Sequence, residues 1–140
     1  MIKEKEAIPS SMGGGGLFST THDLSVFGRM LLSGGSFAGK RIVGRKPLEA
    51  ATRPQVRDIP STNWRPNMFA DEYKLNWGFG FEINKHPFLS EGTFDHEGAE
   101  GALLFMDPKE RFVFAGFFPS PDWHGESWIS PLAIAWSGIE

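Results

Sequence analysis

Residues 93–118 read TFDHEGAEGALLFMDPKERFVFAGFF, and their reading decides the fold. The stretch begins as a strand ending in His96-Glu97-Gly98, bends at its glycines, and continues as a hairpin. Leu103–Met106 and Phe112–Phe118 are rich in strand formers. Between them, Asp107-Pro108-Lys109-Glu110 has Asp and Pro at the first two positions of a type I turn, where the fixed φ of proline fits. Alternation sets Phe112, Phe114 and Phe118 on one face and Val113, Ala115 and Phe117 on the other. A strand apolar on both faces needs cover on both, so the hairpin is expected at the centre of its sheet. Gly98 and Gly101 mark a bend or a close approach of backbone.

Working outward, 140 residues is one domain's length, long enough for a core. Hydrophobic residues at 40% make the chain globular. A net charge of −3 gives no electrostatic footprint for nucleic acid or an anionic membrane surface. With no cysteine there is neither a disulfide framework nor a thiolate site. The longest apolar run, Phe112–Phe118, falls far short of the ~20 residues of a membrane span. Met1–Gly16 lacks the apolar core of a signal peptide, so the protein is expected in the cytosol, or exported by a signal on an upstream segment.

Residues 1–12 read as a lead-in, and 13–140 as the body of one domain. No Gly-Lys-Ser/Thr follows Gly13–Gly16, which argues against a phosphate cradle. A helix is predicted from Thr20 as N-cap, with Asp23 at its positive end, Leu24, Phe27, Met30 and Leu31 inward, and Gly34-Gly35 as its stop. Arg41–Val43 reads as extended, and a short helix carries Leu48–Ala51 with Pro47 in its first turn. Arg53–Lys74 reads as a long irregular loop, and Trp77–Ile83 as one strand. Lys85-His86-Pro87 and Pro119-Ser120-Pro121 are turns or breaks. A final helix presents Trp128, Leu132, Trp136 and Ile139 on one face, with Ser130 as N-cap and Pro131 first in the helix.

The four histidines, His22, His86, His96 and His124, show no metal-ligand spacing, and neither metal nor cofactor is expected. His96 stands apart because of its company. Taken in order, GGGGLFSTTHDLSVFGRMLLSGG, KRIVG, TRPQV, WGFGFE and FDHEGAEGALLFMDPKERFVFAGF resemble the C-terminal part of the serine β-lactamase, penicillin-binding protein and esterase superfamily, on its class C-like side. The likeness runs from about Gly13 to Phe118 and rests on the ordered set rather than on any one motif.

The resemblance implies an α+β fold, an antiparallel sheet flanked by helices, in which Phe112–Phe118 lies beside a strand from an N-terminal part. It also implies an acyl-enzyme built from three motifs. Of these, only the third wall is present, as His96-Glu97-Gly98. No Ser or Thr begins a Ser-x-x-Lys, and the only tyrosine, Tyr73, has Leu75 two residues on. Ser61-Thr62-Asn63 matches Ser-x-Asn formally but falls after the segment that motif should precede. By the resemblance, His96, Gly98 and Ala99 are catalytic: His96 as a cationic or hydrogen-bonding group, Gly98 as a side-chain-free edge, and the Ala99 N–H as an oxyanion donor. Glu97 and Glu100 fall at substrate-binding positions. Glu97 departs from the usual Thr or Ser, and there a carboxylate repels an anionic substrate unless strand alternation turns it away.

The expected function is therefore the C-terminal portion of a serine hydrolase of ester, amide or β-lactam bonds, inactive without its nucleophile. The expected partner is the N-terminal portion of the same hydrolase, or a second copy through the apolar Phe112–Phe118 edge. A non-catalytic binding module on a degenerate hydrolase scaffold is the alternative.

Overall fold

A computed structural model describes residues 17–60, 74–84, 89–98, 101–119 and 129–139. Gly13–Gly16, Ser61-Thr62-Asn63, Tyr73, His86, Ala99, Glu100, Ser120-Pro121, His124 and Trp128 lie outside them. The fold is α+β. Helix α1 (Thr21–Leu32) leads to a small hairpin of β1 (Ser36–Phe37) and β2 (Lys40–Arg41), then to helix α2 (Arg45–Ala51). A sheet follows, of β3 (Val56–Pro60), β4 (Lys74–Trp77), β5 (Glu82–Ile83), β6 (Phe94–Glu97), β7 (Ala102–Asp107) and β8 (Phe112–Phe117). Helix α3 (Ile129–Ser137) closes the described chain. The six strands lie in sequence order, each antiparallel to the next.

The local signals act as their chemistry requires. Thr20 caps α1, its side chain accepting the Asp23 N–H at 3.1 Å. The helix stops where Gly34 and Gly35 take positive φ, and the Gly35 N–H donates to the Met30 carbonyl at 3.0 Å. Asp107 Oδ1 accepts from the Lys109 and Glu110 amides, fixing the β7–β8 turn. Its Oδ2 accepts from the Trp136 indole N–H at 3.3 Å, which ties that turn to α3.

Each face of the sheet has its own core. On one, α1 brings Met30 and Leu31 to Ile83, Phe94 and Met106, with Leu104 and Val113 alongside. On the other, Leu132 of α3 meets Leu103 and Phe105, with Phe112, Phe114 and Phe118 packed around them. The predicted split of the β8 side chains between two faces is thus the split between two helices.

Five expectations need correction. The β7–β8 hairpin is not central: β8 is the edge strand among the described residues. Its two apolar faces are covered by α1 and α3, so helices supply the cover expected from the middle of a sheet. On α1, Phe27 is 45% exposed, and the buried position beside it is Gly28. A Cβ on Gly28 would stand 2.7 Å from Val113 Cγ1, so glycine lets helix and sheet approach closely. The loop from Arg53 contains β3, which pairs with β4 across a register shift where Asp58 takes φ 55°. Trp77–Ile83 is a reversal, not one strand, because Gly80 takes φ 81° and the Gly78 N–H donates to the Phe81 carbonyl. Finally, α3 includes Ile129 and Ser130, with Pro131 in its first turn, where a missing N–H costs no helical bond.

Candidate active site

Strand β6 carries the motif, and its alternation sorts the side chains. Phe94 and His96 stand opposite Met106 and Leu104, on the α1 face. Asp95 and Glu97 stand opposite Phe105 and Leu103, on the α3 face. Phe94 is buried under α1, whereas His96, one pleat further along, is exposed. Glu97 is half-buried on the face away from His96. Of the expected site residues, the fold therefore brings His96 and Gly98 to one exposed end of β6 and turns Glu97 to the other side.

The two glycines after the motif differ in what they serve. Gly101 takes φ 81°, and a Cβ there would collide with the Phe118 carbonyl, which already sits beside it. The Phe118 N–H in turn donates to the Gly101 carbonyl at 2.8 Å, so this glycine seats the end of β8 against the bend. Gly98 is exposed, and among the described residues the nearest atoms a Cβ on it would meet are those of Ala102, its Cβ at 3.4 Å and its N and O at 4.0 Å. Nothing in the described fold demands glycine at position 98. Its N–H donates to the Ala102 carbonyl at 2.7 Å, so the β6–β7 ladder runs to the end of the motif.

One neighbour escaped the sequence reading. The indole of Trp77 meets the imidazole of His96 edge to face, with centroids 6.0 Å apart and planes at 72°. The contact reaches from β4 to β6, past the two-residue strand between them. No sequence spacing encodes it. On that intervening strand, Glu82 is buried directly opposite Asp95, so acidic groups gather away from the His96 face.

The β-lactamase family profile matches residues 3–127. The chain belongs to the β-lactamase family. It is 32% identical over 103 residues to a Salmonella typhi protein provisionally named a D-alanyl-D-alanine carboxypeptidase, covering 70% of this chain and 22% of that one. A solved β-lactamase from Mycobacterium bovis matches with a TM-score of 0.53 at 26% identity, over 84% of this chain and 44% of that one. A Bacillus anthracis structure, provisionally named a 6-aminohexanoate-dimer hydrolase, shares the fold with a TM-score of 0.54 at 24% identity, over 85% of this chain and 28% of that one. The chain thus spans less than a quarter of the length of the curated relative it matches.

Proposed function

We propose that this chain is the C-terminal portion of a β-lactamase-family serine hydrolase that cleaves ester, amide or β-lactam bonds through an acyl-enzyme. In this reading it supplies the His96–Ala99 wall, and the nucleophile and its base come from an N-terminal portion. The observation that carries the reading is Gly98: an exposed glycine on which the described residues place no steric demand, on the same strand end as an exposed histidine.

The chemistry follows from the wall. Acyl transfer develops negative charge on the carbonyl oxygen, and each aimed N–H donor is worth about 10²–10³ in turnover. The Ala99 N–H is the donor assigned to this chain, and the second belongs to the absent nucleophile. Gly98 lets substrate lie flat along the strand edge, and His96 offers a hydrogen bond or a positive charge to its polar end. Glu97, on the opposite face, adds no repulsion there, so carboxylate-bearing substrates stay within range. The relative's name suggests peptides ending in D-alanyl-D-alanine as the first to assay.

The same reading assigns the β8 edge to a strand of the N-terminal portion. Phe117 at that edge is 45% exposed, and an apolar edge that no described strand pairs recruits another strand. Alone at micromolar concentration, the chain is expected to self-associate in sedimentation.

The test is a fluorophosphonate probe with chromogenic ester and β-lactam substrates. The isolated chain should show no labelling or turnover, because a wall without a nucleophile forms no acyl-enzyme. The chain extended upstream in its own reading frame should show both, at a Ser-x-x-Lys serine. Labelling of a serine within residues 1–140 would overturn the proposal.

A further inference from the structure

We infer that Trp77 is a positioning residue for His96, holding the imidazole in one orientation at the strand end. The inference rests on the His96 wall proposed above. His96 is exposed at the end of β6, and strand β5 ends its pairing one residue short of it, at Glu82 opposite Asp95. An imidazole in that situation would turn freely about its side-chain bonds. The aromatic ring standing against it is the indole of Trp77, in an edge-to-face pair. The nearby Phe81 is committed elsewhere, in its own edge-to-face pair with Phe94 at 5.2 Å.

Trp77 is the better anchored of the two partners. It lies opposite Val56 on one side and Glu82 on the other. Its carbonyl accepts the Gln55 N–H at 2.7 Å. The next residue, Gly78, sits so close to the Ala51 carbonyl that no side chain fits, and the Phe79 N–H donates to that same carbonyl at 3.0 Å. The reversal after Trp77 is therefore pinned to the end of α2, and the indole has a fixed base from which to orient the exposed imidazole. An aromatic pair of this kind biases a side-chain rotamer by roughly two- to tenfold. A preset histidine contributes more to a transition state than one that must be ordered during the reaction.

The experiment is solution NMR of the isotope-labelled chain, in the homogeneous state that sedimentation finds for it or joined to its upstream portion, with the His96 ring signals identified by their loss in His96→Asn. In Trp77→Leu the His96 ring signals should lose their ring-current displacement, and its rotamer preference should fall roughly two- to tenfold. His22, exposed on α1, serves as the unmoved reference, and Trp77→Phe should retain most of the wild-type preference. An unchanged backbone amide spectrum outside residues 74–98 separates this effect from unfolding. His96 signals identical in wild type and Trp77→Leu would overturn the inference. In the upstream-extended hydrolase, Trp77→Leu should lower kcat about three- to tenfold with KM little changed, and Trp77→Phe should restore it. If His96→Ala abolishes activity while Trp77→Leu leaves kcat intact, the positioning role fails and the wall stands. If His96→Ala is itself harmless, the wall fails and the positioning role with it.

Discussion

The β6–β8 half of the sheet and the β3–β5 half are held together by different means. The β7–β8 ladder runs unbroken from Ala102 opposite Phe117 to Asp107 opposite Phe112, with a helix on each face. Strands β4 and β5 meet at Trp77 opposite Glu82, and β3 joins β4 across a bulge. Apart from Ile83 of β5, which reaches the α1 core, that second half depends on backbone and polar fastenings: Asp58 N–H to Asn76 Oδ1, Gln55 Nε2 to the Ala50 carbonyl, and Phe79 N–H to the Ala51 carbonyl. A half built on burial resists change strongly at a few positions. A half built on fastenings is adjustable, and it is this half that sends Trp77 to His96.

The largest expected effect breaks the comparison if it fails. Phe105→Ala empties a fully buried position in β7 and should cost about 3–5 kcal/mol in urea unfolding. Val56→Ala, at a 48% exposed position in β3, should stay within about 0.5 kcal/mol. Similar losses from both would mean that the two halves share one kind of stability.

Next in size is Gly78→Ala, which forces a methyl group against the Ala51 carbonyl and should cost about 1–3 kcal/mol. Its signature is local. Hydrogen exchange at the Phe79 amide should speed up while the amides of β7 keep their protection. Equal loss of protection in both would make the sheet a single cooperative unit.

The smallest effect concerns Glu49 on α2, whose carboxyl is held below its ordinary value of 4.5 by the hydrogen bond from Arg45 and then by that from Lys46. A depressed carboxylate contributes stability above its unfolded pKa and loses it as pH falls through the folded value. Here both side chains are exposed, and solvent screening leaves little. Glu49→Gln should therefore leave the thermal midpoint unchanged at pH 7 and change the acid limb barely, if at all. A clear drop at pH 7 would show that α2 is held by charge rather than by Leu48.

Legibility divides along the same line. The Thr20 cap, the Gly34-Gly35 stop and the Asp107-Pro108 turn act within a few residues of themselves, and each could be read in place. Strand β3 could not, because Val56-Arg57-Asp58-Ile59 has no clean alternation and its partner lies across residues 61–73. The reversal at Gly80 reads as strand because glycine between large aromatics suits either. In the site, the order of motifs pointed to His96 and Gly98, and alternation decided the side for Glu97. Trp77 escaped because its role depends on a strand two places away in the sheet.

The openness around Gly98 has a consequence for how this protein can be surveyed. Gly98→Ala adds a methyl group at an ordinary contact distance from Ala102, so expression level, solubility and melting temperature should all pass it as silent. Gly101→Ala, three positions on, should fail every one of those measures. A library sorted only for folded protein would therefore rank position 98 among the freely replaceable sites, and the role proposed for Gly98 would show only when the sorting is done on a reaction.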